Sequence, residues 1–274
     1  MHNKLYTPPL ELQRDITGIR VIQGSMKEAI EVKTCALVVP GIVFHFSSTG
    51  PCIESIATRS ENYCYLPPLF LHGCRLEPSI MRFRKGQYTT IQVAFKPWAL
   101  KTLFDIDGTD IVSKPFEASE FGATDLQVEL LRTDDIETRI RDIENFLTAQ
   151  LSQHGRRDVL VEESIAFIDE HIATITVNKL ATHFNVSERR LQKRFALFIG
   201  CTPQKFIQIQ RVNAALYLMW SGQYQKLSDI AYALNYHDQS HFIRDIKAFS
   251  WLTPTALTQS ISEFRQDESG VAYI

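Results

Sequence analysis

The period of apolar residues along the 274-residue chain changes near residue 125. Before that point apolar residues come in short runs broken by Pro and Gly, as in CALVVPGIVFHFS, ENYCYLPPLFLHG and SIMRFRKGQYTTIQVAF, and these predict strands. Polar and apolar positions alternate from Ser79 to Phe95, so a hairpin is expected around Lys85, Gly86 and Gln87. From Asp125 the spacing turns helical, with Ile136, Ile140, Ile143 and Leu147 on one face. That stripe either packs on its own domain or pairs with the same helix of a second chain, giving a homodimer through the N-terminal half. The polar stretch SQHGRRD after Leu151 reads as a linker, and from Asp158 to about Phe264 the pattern is helices with short connections. The expected fold is α+β with two domains. Residues 1–152 form a β-rich barrel or sandwich ending in the amphipathic helix, and residues 158–265 form an all-α domain.

Inside the helical half the chain nearly repeats itself at an offset of about 50 residues. LATHFNVSERRLQKRFALFIGCTP and IAYALNYHDQSHFIRDIKAFSWLTP share one layout. Leu180-Ala181 matches Ile230-Ala231, Phe184-Asn185-Val186 matches Leu234-Asn235-Tyr236, and Leu191 matches Phe242. With one residue inserted in the second copy, Phe195 matches Ile246 and Thr202-Pro203 matches Thr253-Pro254. Each copy predicts a short helix, a turn at an Asn able to adopt positive φ, a second helix, and a Thr-Pro helix start. This is the layout of a helix-turn-helix, whose second helix enters the major groove of DNA. PQKFIQIQRVNAALYLMW forms a long helix between the copies, ended by Ser221-Gly222. Its length sets the two reading helices about one DNA turn, near 34 Å, apart.

With Leu191 and Phe195 turned inward, Arg189, Gln192 and Lys193 face out of the first copy, flanked by Arg190 and Arg194. In the second copy Phe242, Ile246 and Phe249 turn inward, leaving Gln239, Ser240, Ile243 and Arg244. Arg and Lys donate to guanine O6 and N7, Gln pairs bidentately with adenine, and Ile243 suits a thymine methyl. Arg189, Gln192, Lys193, Gln239, Ser240 and Arg244 are therefore the expected base contacts. Arg190, Arg194, Lys205, Arg211 and Lys247 are the expected backbone contacts.

Composition supports this locally rather than globally. The formal net charge is −2, yet between Ser187 and Arg211 the bases outnumber the single acid Glu188 to give about +5. Five cysteines without CxxC spacing fit reduced thiols. No run approaches a membrane span, and the opening residues lack a basic-then-apolar leader, so a cytoplasmic protein is expected.

These residues resemble the AraC/XylS family of bacterial transcription regulators over about Asp158 to Phe264. LATHFNVSERRLQKRF, GCTPQKFIQIQRVNAALYLM and DIAYALNYHDQSHFIRDIKAF are similar to its first motif, linker helix and second motif. The resemblance implies base contacts at the positions already named, double-stranded DNA as partner, and RNA polymerase as a further partner of an activator. Asn235 stands where the family commonly has Gly, Ile246 where an aromatic is usual, Trp251 where the first copy has Gly200, and Asp245 lies beside Arg244. VVPGIVFHF and IQVAFKPWALKTLFDIDGTDI are similar to a β-rich N-terminal domain found in a subset of these regulators. That similarity implies effector sensing or dimerisation. Phe44, Phe46, Tyr63, Tyr65, Phe70 and Trp98 either line a small-molecule pocket or form core, and Arg82, Arg84 and Lys85 either bind an anion or make a solvated turn.

The competing reading is a metal-dependent hydrolase built on His237 and His241, four residues apart with Asp238 between. It requires both histidines inside one helix, and His237 is expected in the turn before it. Cys64, His72 and Cys74 lack a fourth ligand at a usual spacing, and no phosphate loop or GxSxG segment occurs. No enzyme activity, metal or cofactor is therefore expected.

Overall fold

The computed structural model describes residues 2–260 except 48–50, 61, 65, 113 and 223, without the side chains of 62–64, 259 and 260. The N-terminal half carries strands β1 (His2–Tyr6), β2 (Ile16–Met26), β3 (Ile30–Thr34), β4 (Gly41–Phe46), β5 (Ile53–Ala57), β6 (Asn62–Cys64), β7 (Leu69–His72), β8 (Ser79–Phe83) and β9 (Gly86–Phe95). Short helices α1 (Ala99–Phe104) and α2 (Gly108–Ile111), strand β10 (Phe116–Glu117), and helices α3 (Thr124–Arg132) and α4 (Ile136–Gln153) follow. The strands form two antiparallel sheets, a six-stranded one in the order β1-β2-β9-β4-β7-β10 and a four-stranded one in the order β3-β8-β5-β6.

The central strand β4 is covered on both faces. Ile42 and Phe44 join Leu103, Leu130 and Leu147 in the core under the helices, whereas Val43 joins Ile53, Phe70 and Met81 between the sheets. Two covered faces explain why GIVFHF reads as an unbroken apolar run rather than an alternation. The helical stripe is used in the same core: Ile140, Ile143 and Leu147 are buried and Ile136 packs against them. Asp135 starts α4 by accepting from the Thr138 amide at 2.9 Å. The stripe thus packs on its own domain.

The expected hairpin at Lys85 to Gln87 is corrected. Both strands form, but β8 pairs with β3 and β5 while β9 pairs with β2 and β4, so the chain turns a corner between sheets. Gly86 at φ 129° permits the bend, and the Arg84 amide donates to the Cys52 carbonyl at 2.9 Å. Alternation predicts two strands equally well whether the turn stays in one sheet or leaves it.

The second half is helical: α5 (Val159–Glu170), α6 (Val177–His183), α7 (Glu188–Ile199), α8 (Pro203–Ser221), α9 (Leu227–Ala233), α10 (Gln239–Ser250) and α11 (Pro254–Ser260). Its core continues into the β half through Cys35, Ala36, Val38 and Cys74. Helix α2 lies on α7 so closely that a Cβ on Gly108 would overlap the Gly200 amide. The linker is anchored as well, because Arg157 donates to both carboxylate oxygens of the buried Asp15. Among the described residues no helix is long and apolar enough to cross a membrane. The expected end of the helical domain, 261–265 with Phe264, lies outside the described residues.

Candidate nucleic-acid interface

The sequence repeat is a repeat of hydrogen bonds. After α6, the amides of Phe184, Asn185 and Val186 donate to the carbonyls of Leu180, Thr182 and Ala181 at 3.1, 3.2 and 3.0 Å. After α9, those of Leu234, Asn235 and Tyr236 donate to Ile230, Tyr232 and Ala231 at 3.0, 3.0 and 2.9 Å. Asn185 and Asn235 sit at φ 51° and 54°, the left-handed turn that Asn tolerates. Ser187 then caps α7 by accepting from the Arg190 amide at 3.2 Å, and Asp238 caps α10 by accepting from the His241 amide at 2.8 Å. The inserted residue of the second copy is His237, in the turn. Thr202 and Thr253 cap α8 and α11 through the amides of Lys205 and Ala256, both at 3.2 Å, ahead of Pro203 and Pro254. Thr202→Ala is expected to lower stability by about 1 kcal/mol, measured as a shift in urea midpoint; an unchanged midpoint would show that the bond contributes nothing.

The apolar face of each second helix is buried. Leu191, Phe195 and Phe198 anchor α7, and Phe242, Ile246 and Phe249 anchor α10. Opposite them Arg189, Arg190, Gln192 and Lys193 are exposed on α7, and Gln239, Ser240, Ile243, Arg244 and Lys247 on α10. All six candidate base contacts therefore stand on outward faces. The backbone candidates divide. Arg194 pairs with Asp158 at 3.1 Å, and Arg211 donates to the carbonyls of Ile172 and Ile175 at 3.2 and 3.1 Å. Lys205 lies over the Phe249 ring at 4.5 Å and borders an internal cavity. Arg211 and Lys205, both half-buried, thus make contacts within the protein that a charge count along the chain could not show.

The histidine pair does not make a helical metal site. His237 lies before α10, and His241 turns along the helix to Asp245, with Nε2 at 3.5 Å from the carboxylate. Bonds from His237 and from the His241 amide hold the Asp238 carboxyl below its ordinary range, as suits a helix N-cap. Among the described residues no three His, Cys, Asp or Glu side chains gather as a metal site. The side chain of Cys64 lies outside the described residues.

A cavity of about 450 Å³ opens between the two sheets and reaches the helical half. Val43, Ile53, Phe70 and Met81 supply apolar wall, while Arg20, Arg75, Lys114 and Lys205 supply positive charge and His72 a ring, with Glu77 the one acid among the described lining residues. Arg20 is only 3% exposed. Burial and the neighbouring Arg75 guanidinium push His72 down to about 4, so its ring is neutral near pH 7. Sequence reasoning offered Phe70 as a pocket-lining candidate but missed the basic groups around it, although Arg20 inside the apolar run ITGIRVIQ was a usable signal. Of the aromatics singled out, Phe70 lines the cavity, Phe44 is core, Phe46 lies under Arg139, and Trp98 donates to Asp15 at 3.1 Å. The side chain of Tyr63, and Tyr65 entirely, lie outside the described residues. Arg82 pairs with Glu54 across the surface at 3.4 Å rather than lining the cavity.

Residues 180–260 match a family model described as a helix-turn-helix domain. Comparison with curated protein sequences gives no match. Among solved structures, the fold is similar to that of ToxT from Vibrio cholerae, with a TM-score of 0.51 at 12% identity, covering 88% of this chain and 98% of that one. A second ToxT structure, from strain O395, gives 0.50 at 12% identity, covering 89% and 98%. A third, in which ToxT is bound to (E)-4-(8-methylnaphthalen-1-yl)but-3-enoic acid, gives 0.51 at 12% identity, covering 89% and 99%. The chain thus joins a β-rich N-terminal domain to a helix-turn-helix domain, in a two-domain fold like that of ToxT.

Proposed function

We propose that this protein is a sequence-specific transcription regulator of the cytoplasm that binds double-stranded DNA through α7 and α10 and is controlled by a small amphipathic acid. The observation that carries the reading is the duplicated turn, which sets two buried-anchored helices with outward polar faces, one before and one after α8. Arg189, Gln192 and Lys193 on α7, and Gln239, Ser240 and Arg244 on α10, read base edges. Arg190 and Lys247 hold phosphates, with Arg194 divided between DNA and Asp158. Binding, rather than catalysis, is the work of the HDQSH stretch, since Asp238 is engaged as a cap and His241 with Asp245. The test is affinity for an enriched duplex against a scrambled one at equal salt. A ratio on the order of 10³ or more supports specific reading, and a ratio near one removes it.

The effector reading rests on the cavity, whose apolar wall and excess of basic groups suit a carboxylate on a hydrocarbon body, and ToxT has been seen with such an acid. Lys205, the cavity's basic group on α8, links acid binding to the DNA-binding half. Lys205→Gln is expected to weaken binding of an unsaturated long-chain fatty acid roughly 10-fold and to remove the acid's effect on DNA affinity. Calorimetry checks the first and anisotropy the second. Unchanged acid affinity would place the acid elsewhere.

A further inference from the structure

The two helix-turn-helix copies differ most where their second helices end. Helix α7 ends at Gly200, with φ 86°, and α10 ends at Trp251, with φ 67°. Glycine accepts that conformation freely, whereas a tryptophan holds it only when its surroundings fix it. Gly200 has no room for a side chain, because the Gly108 carbonyl packs on it. Trp251 has a partner instead. The Arg59 guanidinium, from the turn after β5 in the other half of the chain, lies 4.9 Å from the centre of its ring. The same guanidinium donates through Nη2 to the Lys247 carbonyl at 2.9 Å.

That carbonyl belongs to the last turn of α10, where carbonyls have no partner within the helix and the dipole favours a cation. Arg59 is thus a helix cap delivered from the β domain. A second tie lies beside it, the Ala36 amide donating to the Phe249 carbonyl at 2.8 Å. Both reading helices are therefore moored to the β domain by their C-terminal ends, α7 by backbone contact and α10 by the Arg59 side chain together with the Ala36 amide. Neither mooring covers the outward residues Gln239, Ser240 and Arg244, which stay exposed. The mooring acts on where α10 points, not on whether DNA can reach it.

We propose that Arg59 is a positioning residue that fixes α10 relative to α7 and so sets the spacing at which two blocks of DNA are read together. Thr58 and Ser60, on either side of Arg59, border the cavity, so the same turn ties this spacing to the cavity's contents. The inference rests on α7 and α10 being base readers.

The test uses the full chain and duplexes carrying both selected blocks with zero, one or two base pairs inserted between them, beside a duplex carrying the first block alone. Two inserted pairs rotate the second block by roughly 70°. The unmodified chain is expected to lose about 10-fold or more on that insertion, as removal of a charged hydrogen bond would. Arg59→Ala should bind the first block alone normally, bind the uninserted duplex about 10-fold more weakly, and respond to insertion by less than about 3-fold. Arg59→Lys should fall between, keeping the charge but not the planar fork. Trp251→Gly gives this position the glycine of the first copy and removes the ring beneath the guanidinium while leaving the Lys247 carbonyl, so it is expected to fold at least as well and to give a profile between those of the unmodified chain and Arg59→Ala. A profile unchanged from the unmodified chain in Arg59→Ala overturns the proposal. Failure of the unmodified chain to prefer selected DNA over scrambled DNA would instead overturn the base-reading assignment beneath it.

Discussion

Arg189→Ala and Gln192→Ala are each expected to weaken binding to a selected target by roughly 5- to 150-fold while leaving random DNA nearly unaffected. Both side chains are exposed on the face of α7 opposite the buried Leu191 and Phe195. Removing them leaves the core of the helix and its Ser187 cap in place. A bidentate contact distinguishes one base from another, so its loss falls on the selected sequence. Arg190→Ala, beside them and equally exposed, should weaken selected and random DNA alike and reduce the salt slope by about one. Anisotropy titrations on the two duplexes separate these outcomes. Equal losses on both for Arg189, Gln192 and Arg190 would remove the base-reading assignment.

Asp15→Ala is expected to cost about 3 kcal/mol of stability, near the lower end for a broken buried pair because water still reaches part of Arg157. Asp15 is fully buried and accepts from Arg157 on both oxygens and from the Trp98 indole at 3.1 Å. Arg157 stands just before α5, so this cluster ties the first strands and α1 to the start of the helical half. Alanine leaves the indole N–H without its acceptor and the guanidinium with Glu162, at 3.4 Å, in place of the two-oxygen clasp. Arg14→Ala breaks only a pair with Glu162 whose arginine is 55% exposed, and should cost less than about 1 kcal/mol. Urea midpoints of the two variants provide the comparison. A loss below about 1 kcal/mol for Asp15→Ala would show that the cluster does not join the halves.

The helix-turn-helix repeat was legible because its signals are local. An Asn at each turn, Ser187 or Asp238 ahead of the second helix, and Thr-Pro after it each determine one backbone conformation within a few residues. Outward and inward faces followed from helical spacing, and Arg189, Gln192, Lys193, Gln239, Ser240 and Arg244 stand on exposed faces. What spacing could not give was the direction of long side chains near an interface. Lys205 and Arg211 carry the same charge as Arg189, yet one borders a cavity and the other holds the carbonyls of Ile172 and Ile175. In the β half, alternation gave the strands β8 and β9 but not their sheets, because pairing depends on contacts far apart in sequence. The cavity and the Asp15 to Arg157 tie join residues more than a hundred positions apart, which no local pattern encodes. Trp251 was visible as a departure between the copies, and its reason became clear only with Arg59 beside it.

Selection of bound sequences from a random pool of duplex DNA tests the central claim most directly. Two reading helices, one before and one after the long helix α8 and both packed on it, predict two preferred blocks about one helical turn apart, with Arg189→Ala and Arg244→Ala each relaxing a different block. Recovery of no preferred sequence, or of a single block unaffected by either substitution, would contradict it.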